Sequence, residues 1–177
     1  MTARHELVIE RTLDAPVWAI WKAWTDHLEE WWAPKPWTTR IVEQDLRAGG
    51  KSVIDMRGPD GEGGPMEGIF LEVTPGRRIV FTNAIDGEGN PRDPQPVAIV
   101  GYFEFTDLGN GKTGYRAGAR HWTAAAMEQH RAMGFEEGWG TCAEQLERVA
   151  HSTMLGLTHP GARTPLVPSC PCASCWS

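Results

Sequence analysis

The chain has 177 residues, of which 41% are hydrophobic and 23% are charged, and its formal net charge is -6. This composition is typical of one globular domain and excludes a fibrous, collagen-like or wholly disordered chain. Because Lys and Arg are not in surplus, nothing is available to neutralise a phosphate backbone and no nucleic-acid partner is expected. No segment approaches the ~20 apolar residues of a spanning helix, and no apolar run like that of a signal peptide opens the chain. We therefore expect a cytoplasmic protein without membrane insertion.

The sequence divides into a domain over residues 1–152 and a flexible tail over 153–177 that contains several Pro and Cys residues. Three of the four cysteines lie in this tail: Cys170, Cys172 and Cys175. Such crowding does not indicate a disulfide framework. Together with His159 these thiols could bind zinc or copper, but their spacing is not that of a standard structural site. A redox-sensitive tail is favoured, and neither a metal nor another cofactor is predicted.

The domain is predicted to open with a strand and two short helices. The strand is indicated by alternating apolar residues from Leu7 onwards. Apolar residues then recur at helical spacing from Val17 to Trp24, and the second helix ends at Trp31 and Trp32. Six further strands are predicted over residues 37–46, 50–57, 66–73, 77–85, 96–106 and 113–122. The segments between them are short and rich in Gly, Pro, Asp and Asn, which favours antiparallel hairpins over parallel crossovers.

A helix over residues 123–151 is predicted to close the domain, with a length of ~40 Å. One of its faces is apolar: Phe135, Trp139, Cys142, Leu146 and Val149. Three glycines lie within it: Gly134, Gly138 and Gly140. Each is expected to cost ~1 kcal/mol relative to Ala, and either close packing on the sheet or empty volume beside the helix would explain them. The simplest arrangement is a curved antiparallel sheet that grips this helix.

Several short motifs now resemble a known superfamily in their order. They are Arg11-Thr12-Leu13-Asp14-Ala15-Pro16, Trp21-Lys22-Ala23-Trp24-Thr25-Asp26, Trp31-Trp32-Ala33-Pro34, and the segments 45–50, 56–61, 78–83 and 134–140. Together they resemble the SRPBCC superfamily, which has the START and birch-pollen-allergen helix-grip fold. More narrowly, they resemble the branch named after the activator of heat-shock protein 90 ATPase. The resemblance covers about residues 4–150.

The resemblance implies an α+β helix-grip fold, with about seven antiparallel strands around a long C-terminal helix. It also implies a hydrophobic cavity between the sheet and that helix. Known members carry lipids, sterols, hormones or polyketide-like molecules, and a few are cyclases or oxygenases. The eukaryotic chaperone activators have an additional N-terminal domain that this sequence lacks, which argues against a co-chaperone role. Fold alone does not identify a substrate.

Fourteen residues are predicted to line the cavity. They are Trp31, Trp32, Trp37, Met56, Phe70, Phe81, Asn83, Tyr115, Ala117, Ala119, His121, Gly134, Gly138 and Trp139. Adjacent tryptophans on one helix cannot both face the same core, so at least one of Trp31 and Trp32 is expected to face a pocket or solvent. The small residues Ala117 and Ala119 either leave room for a ligand or admit the helix closely.

Two of these residues are polar. Asn83 could orient a ligand oxygen, although an amide in water at a strand end is favoured, and His121 titrates near neutrality but has no catalytic role assigned to it. Glu43, Asp45 and Asp55 would be acid–base candidates if one pointed inward, although solvated outer-face charges are favoured. No nucleophile, phosphate-binding or dinucleotide motif is present.

These observations favour the binding of a small, mostly apolar, lipid-like or polyketide-like molecule. The first alternative is an enzyme of cyclase or hydrolase type that uses the same cavity, which would need an inward-facing acid or base. The second is a chaperone-interaction module, which would show a collapsed interior and an exposed apolar patch. A homodimer is allowed for on general grounds, although the sequence shows no interface.

Overall fold

The computed structural model describes residues 5–94 and 96–156. The elements run in the order β1 (His5–Leu13), α1 (Val17–Asp26), α2 (Leu28–Trp31), β2 (Thr38–Gln44), β3 (Lys51–Arg57), β4 (Gly63–Thr74), β5 (Arg78–Thr82), β6 (Val100–Gly109), β7 (Lys112–His121), α3 (Ala124–Ala132) and α4 (Phe135–Met154). Most of the predicted tail, including its three cysteines and His159, lies outside the described residues.

The seven strands form one antiparallel sheet in the order β1-β7-β6-β5-β4-β3-β2. Helices α3 and α4 approach the sheet at one end of this order: α3 lies beside β1 and β7, and α4 beside β1. The short helix α2 approaches the opposite edge strand, β2. The predicted α+β helix-grip architecture is therefore confirmed, including the two short helices after the first strand.

The prediction of one continuous helix over residues 123–151 is wrong, because the helix is broken at Gly134. This residue has a φ of 88°, in the left-handed region, where a glycine adopts the conformation without strain. Helix α3 begins at the N-cap Thr123, whose side chain accepts a hydrogen bond from the backbone N–H of Ala126. Helix α4 has 20 residues, which gives a length of about 30 Å.

The hairpin between β5 and β6 is also shorter than predicted. Strand β5 ends at Thr82 and β6 begins only at Val100. The reason is Asn83, whose Nδ2 atom donates to the carbonyl of Val97 at 3.0 Å and whose Oδ1 accepts from the N–H of Ile99 at 2.8 Å. The amide thus substitutes for strand pairing at this point, and the chain leaves the sheet as a long connection.

The two faces of the sheet differ sharply in polarity. On the convex face, the Tyr102 ring lies beneath the guanidinium groups of Arg120 and Arg116, at 4.6 and 5.1 Å from its centroid. Arg120 also pairs with Glu6 at 2.9 Å, and Arg116 with Glu104 at 3.0 Å. This charged network occupies the convex face, so the apolar residues of the sheet gather on the concave face beneath the helices.

Candidate ligand-binding groove

The concave face is only partly covered over strands β2 to β5. The register places Ile41 opposite Ile54, and Ile54 opposite Met66, so these three side chains share that face. Ile41 and Ile54 are half-buried against the core, and the Met66 side chain is 42% exposed. Because α3 and α4 lie nearer the other end of the sheet, this half of the concave face remains an apolar surface. We call it the groove.

Aromatic rings form the wall between the groove and the helices. The ring of Phe81 stacks on that of Phe103 with centroids 6.0 Å apart, and Trp139 stacks on Phe103 at 5.7 Å. The Trp32 indole meets the rings of Phe103 and Trp139 nearly edge-on, at 5.8 and 5.4 Å. Phe103 is buried, whereas Phe81, Trp32 and Trp139 are half-buried. The wall is thus anchored in the core and presents three partly exposed rings.

The position of Phe81 depends on Gly101 of the neighbouring strand. A Cβ atom at residue 101 would overlap the Cζ atom of Phe81, so only a glycine lets this ring lie across β6 and reach Phe103. The register pairs Phe81 directly with Gly101. The absence of a side chain at Gly101 on β6 therefore determines where the Phe81 ring of β5 lies in the groove wall.

Trp31 lies in the core, whereas Trp32 lies at a partly exposed surface. Trp31 is fully buried and its Nε1 atom donates to the carbonyl of Ala23 at 3.2 Å, whereas Trp32 is half-buried in the groove wall. Trp37 is half-buried as well. A Cβ atom at Gly63 would lie 3.1 Å from its ring, so Trp37 packs against the start of β4.

The turn that carries Trp32 is held by Gln145 of α4, a residue that sequence analysis missed. The Gln145 Nε2 atom donates to the carbonyls of Trp31 at 2.7 Å and Ala33 at 2.9 Å, and its Oε1 accepts from the N–H of Lys35 at 3.3 Å. Its side chain is buried. No motif identifies this residue, since a single glutamine beside Leu146 looks like any other polar helical position.

The predicted lining residues from the last strand lie beneath the helices or in the core. Ala117 and Ala119 are completely buried, and α3 approaches β7 closely, so these small side chains admit the helix. Tyr115 is buried and its ring centroid lies 6.3 Å from that of Phe103. Burial raises the pKa of the Tyr115 hydroxyl well above its usual value, and a nearby Cys142 thiol adds to this effect.

The other predicted residues are divided between the groove and its surroundings. Met56 is half-buried on the concave face, opposite Thr39, while Phe70 is buried beside Phe81. Asn83 uses both amide atoms to bind backbone, as described above. Gly134 joins α3 to α4.

Gly138 and Gly140 have different surroundings. A Cβ atom at Gly138 would lie 3.8 Å from the Cγ atom of Pro34, an ordinary contact that leaves the position open. A Cβ atom at Gly140 would lie 3.2 Å from the Nη2 atom of Arg11, a tighter contact. Of the two explanations for these glycines, empty volume beside the helix fits Gly138.

His121 lies at the helix-covered end of the concave face, in contact with a second histidine. Its Nδ1 atom is 3.1 Å from the carbonyl oxygen of His5, and its Nε2 atom is 2.9 Å from Nδ1 of His130 on α3. The His130 ring also meets the rings of Phe135 and Trp139, at 5.1 and 6.4 Å. Burial and the neighbouring His121 lower the pKa of His130 to about 4, and burial lowers the pKa of His121.

The remaining candidates for acid–base or nucleophilic chemistry point elsewhere. Asp55 pairs with Arg57 at 2.9 Å and with Arg40 at 3.6 Å. Glu43 pairs with Lys51 at 3.7 Å, and Asp45 with Arg47 at 2.8 Å. Burial raises the pKa of the Cys142 thiol to about 12, which keeps it protonated and unreactive at neutral pH.

A separate cavity of about 610 Å³ lies beneath the connection between β5 and β6. Its lining includes Leu71, Thr82, Arg92, Trp122 and Gln129, and none of the fourteen predicted residues. The Trp122 side chain at this cavity is 61% exposed. Asn83 and His121 adjoin this cavity through the neighbouring lining residues Thr82 and Trp122, whereas the stacked rings of the groove wall do not line it.

Two negative findings concern the described part of the chain. Within residues 5–94 and 96–156, no group of three or more His, Cys, Asp or Glu side chains is placed to hold a metal ion. None of the helices described above is long and apolar enough to cross a membrane.

Comparison with solved structures supports the fold from independent proteins. One from Nitrosomonas europaea is 35% identical, with a TM-score of 0.76 over 85% of this chain and 96% of that one. One from Mycobacterium smegmatis is 28% identical, with a TM-score of 0.69 over 84% and 92% of the two chains. A solution structure from Arthrobacter aurescens, 23% identical with a TM-score of 0.71 over 92% and 99%, shows the fold alone. The comparison with curated proteins gave no match.

The resemblance inferred from the short motifs is confirmed by a family model. The model described as activator of Hsp90 ATPase homolog 1-like protein matches residues 14–151, which is nearly the whole described domain. The chain therefore belongs to the family of activator of Hsp90 ATPase homolog 1-like proteins.

Proposed function

We propose that this protein binds a small, mostly apolar molecule of lipid-like or polyketide-like chemistry in the groove. The observation that carries the proposal is the aromatic wall, in which Phe81, Trp32 and Trp139 are held by a buried Phe103 yet remain half-exposed. Rings fixed in this way form a preorganised apolar surface, which a ligand can cover without ordering new side chains.

The expected free energy of ligand binding follows from the apolar area that the ligand covers. A ligand that covers about 200 Å² of apolar groove surface gains ~5 kcal/mol from burial, before the cost of association is subtracted. The net affinity is therefore expected to be modest for a small aromatic probe. A larger ligand that also covers the face around Ile54 and Met66 would bind more tightly.

The test is a titration with naphthalene, followed by NMR of methionine methyl groups. Met56 and Met66 lie on the concave strands, whereas Met154 lies at the C-terminal end of α4. We expect the methyl signals of Met56 and Met66 to shift with a saturable dependence on naphthalene, and that of Met154 to stay unchanged. A shift at Met154 alone, or no saturable shift, would contradict the proposal.

A matched pair of variants at one position tests the location of the site. Gly138→Leu places a large side chain beside Pro34 and next to the groove wall, so it should abolish naphthalene binding while the fold is retained. Gly138→Ala adds only one methyl group and should bind normally. Trp122→Ala alters the separate cavity and serves as the control. If Trp122→Ala removes binding and Gly138→Leu does not, the ligand occupies the other cavity.

A further inference from the structure

The two histidines that meet at the end of the groove wall form a chain of hydrogen bonds with a fixed direction. The His5 carbonyl oxygen can only accept, so the Nδ1 atom of His121 must carry the proton in that 3.1 Å contact. In the neutral ring, Nε2 of His121 is then an acceptor. The Nδ1 atom of His130, 2.9 Å away, must therefore donate to it. The one arrangement that satisfies both contacts leaves the Nε2 atom of His130 unprotonated.

The His130 ring that carries this nitrogen contacts Trp139, one of the rings of the groove wall. The ring meets Phe135 at 5.1 Å and Trp139 at 6.4 Å, and Trp139 is the ring that stacks on Phe103. Within residues 5–94 and 96–156, Nε2 of His130 makes no hydrogen bond, and it is not among the fully buried polar atoms that lack a partner. Among the described residues it is thus an acceptor without a partner that is not fully buried, on a ring that contacts the aromatic wall.

We propose that His130 is the hydrogen-bond acceptor of the groove, and that the ligand is an apolar molecule that carries a hydroxyl or N–H group. His121 is a positioning residue, since it holds the proton of His130 on Nδ1 and so keeps Nε2 free. This inference rests on the proposed function, because it assigns the polar part of a ligand whose apolar part covers the aromatic wall. A single well-placed acceptor in an apolar site favours a donor-bearing ligand over one that lacks the donor.

The electrostatics of the pair agree with this role. Burial, with a smaller effect from His121, lowers the pKa of His130 to about 4, so the ring is neutral near pH 7 and its acceptor lone pair is present. The same low basicity makes His130 a weak general base. The arrangement therefore suits recognition of a donor better than removal of a proton.

The first experiment needs no ligand. The nitrogen chemical shifts of the imidazole rings, measured by NMR on the protein near pH 7, distinguish protonated from unprotonated nitrogens. We expect both His121 and His130 to be protonated on Nδ1 and unprotonated on Nε2. A proton on Nε2 of His130 would overturn the proposal, whether or not the groove binds apolar molecules.

The second experiment compares naphthol, which can donate a hydrogen bond, with methoxynaphthalene, which cannot. The wild-type protein should bind naphthol roughly threefold to tenfold more tightly, the range expected for one hydrogen bond. His130→Phe keeps a ring against Phe135 and Trp139 and should bind both compounds equally. His121→Gln, whose carbonyl can still accept from Nδ1 of His130, should keep the preference. His27→Phe, at a histidine bonded to Glu30, is the control and should also keep it.

The outcomes separate the two proposals. Equal binding of the two compounds to the wild-type protein, or an unchanged preference in a folded His130→Phe variant, would overturn the role of His130 while the groove stands. Failure of both compounds to bind would overturn the groove as an apolar site, and the role of His130 with it. Thermal unfolding of each variant confirms that it is folded before the comparison is made.

Discussion

The indole of Trp139 stacks on the ring of Phe103 with centroids 5.7 Å apart and planes inclined by only 12°, which ties helix α4 to strand β6. The two residues differ in exposure, since Phe103 is 2% exposed and Trp139 is half-buried. Phe103 also meets the rings of Trp24, Trp31, Trp32, Phe81 and Tyr115. One residue therefore anchors the fold, and the other belongs to the surface that a ligand would touch.

This difference in exposure predicts that a substitution at Phe103 mainly lowers stability, whereas a substitution at Trp139 mainly weakens ligand binding. Phe103→Ala should lower the free energy of unfolding by ~3–5 kcal/mol, because it removes a buried ring that many others contact. Trp139→Leu should lower the free energy of unfolding by about 1–2 kcal/mol, because part of the ring is already in water, yet it should clearly weaken naphthalene binding. Urea denaturation and the methyl-shift titration measure the two effects. A Trp139→Leu variant with unchanged affinity would contradict the assignment of this ring to the groove.

Alanine substitutions at Gly138 and Gly134 should change the free energy of unfolding in opposite directions. Gly138→Ala should raise the free energy of unfolding by ~0.5–1 kcal/mol, since the new Cβ atom has space and alanine favours the helix. Gly134→Ala should lower it by about 1–2 kcal/mol, because the φ of 88° is strained for any residue with a Cβ atom. The same denaturation experiment on both variants checks this. Equal effects would contradict a fixed break between α3 and α4.

Gln145 is expected to matter more than its unremarkable sequence position indicates. Gln145→Leu leaves the carbonyls of Trp31 and Ala33 without their donor in a buried place, which should cost about 2–3 kcal/mol. Gln129→Leu is the matched control, since among the described residues that exposed side chain donates only to the carbonyl of Pro96. It should change stability by less than ~0.5 kcal/mol. Similar losses of stability in the two variants would contradict a special role for the buried hydrogen bonds of Gln145.

The histidine pair predicts a dependence of stability on pH. The pKa of His130 is about 4 in the fold, against 6.5 for an unperturbed histidine. Between those values the unfolded chain binds more protons, so the free energy of unfolding should rise as the pH rises through this window and then level off. The full shift corresponds to about 3 kcal/mol, which solvent screening at a half-buried ring reduces to about 1–2 kcal/mol.

His130→Phe isolates this contribution. Denaturation with urea at several pH values between about 4 and 7 should show a weaker dependence in the variant than in the wild type. The control Gln129→Leu removes no titratable group and should keep the wild-type dependence. Because the pKa of His121 is also lowered, some dependence in the same direction should remain in His130→Phe. A variant profile that coincides with that of the wild type would contradict the assignment to His130.

The break at Gly134 is a feature that the pattern of apolar residues did not predict. Apolar spacing from Phe135 to Val149 correctly indicated a helix, because that spacing depends only on the chain itself. The residues of α3 continue with good helix formers, so nothing before Gly134 signals an end. Whether a glycine there stays helical or turns left-handed depends on where the sheet holds the preceding segment, which no local pattern encodes.

The candidate site likewise combines residues that the sequence predicted with contacts that only the structure reveals. The sequence, together with the family resemblance, predicted Trp32, Met56, Phe81 and Trp139 as residues that line a cavity. It did not indicate that Gly101 makes room for Phe81, that Gln145 holds the turn of Trp32, or that His130 meets His121. The Cβ overlap and the two hydrogen bonds all join different elements of the fold.

The sequence by itself determined the order and type of the elements, the polarity of their faces and the family, because these follow from local spacing, turn residues and short motifs. The tertiary structure alone decided which apolar residues became core and which stayed half-exposed, and which nitrogen of His130 is free. Burial and hydrogen-bond direction are set by partners that approach from distant parts of the chain. For that reason Trp32, Phe81 and Trp139 could be named as candidate lining residues, whereas the anchoring role of Phe103, the geometry of the wall and its proposed polar acceptor could not.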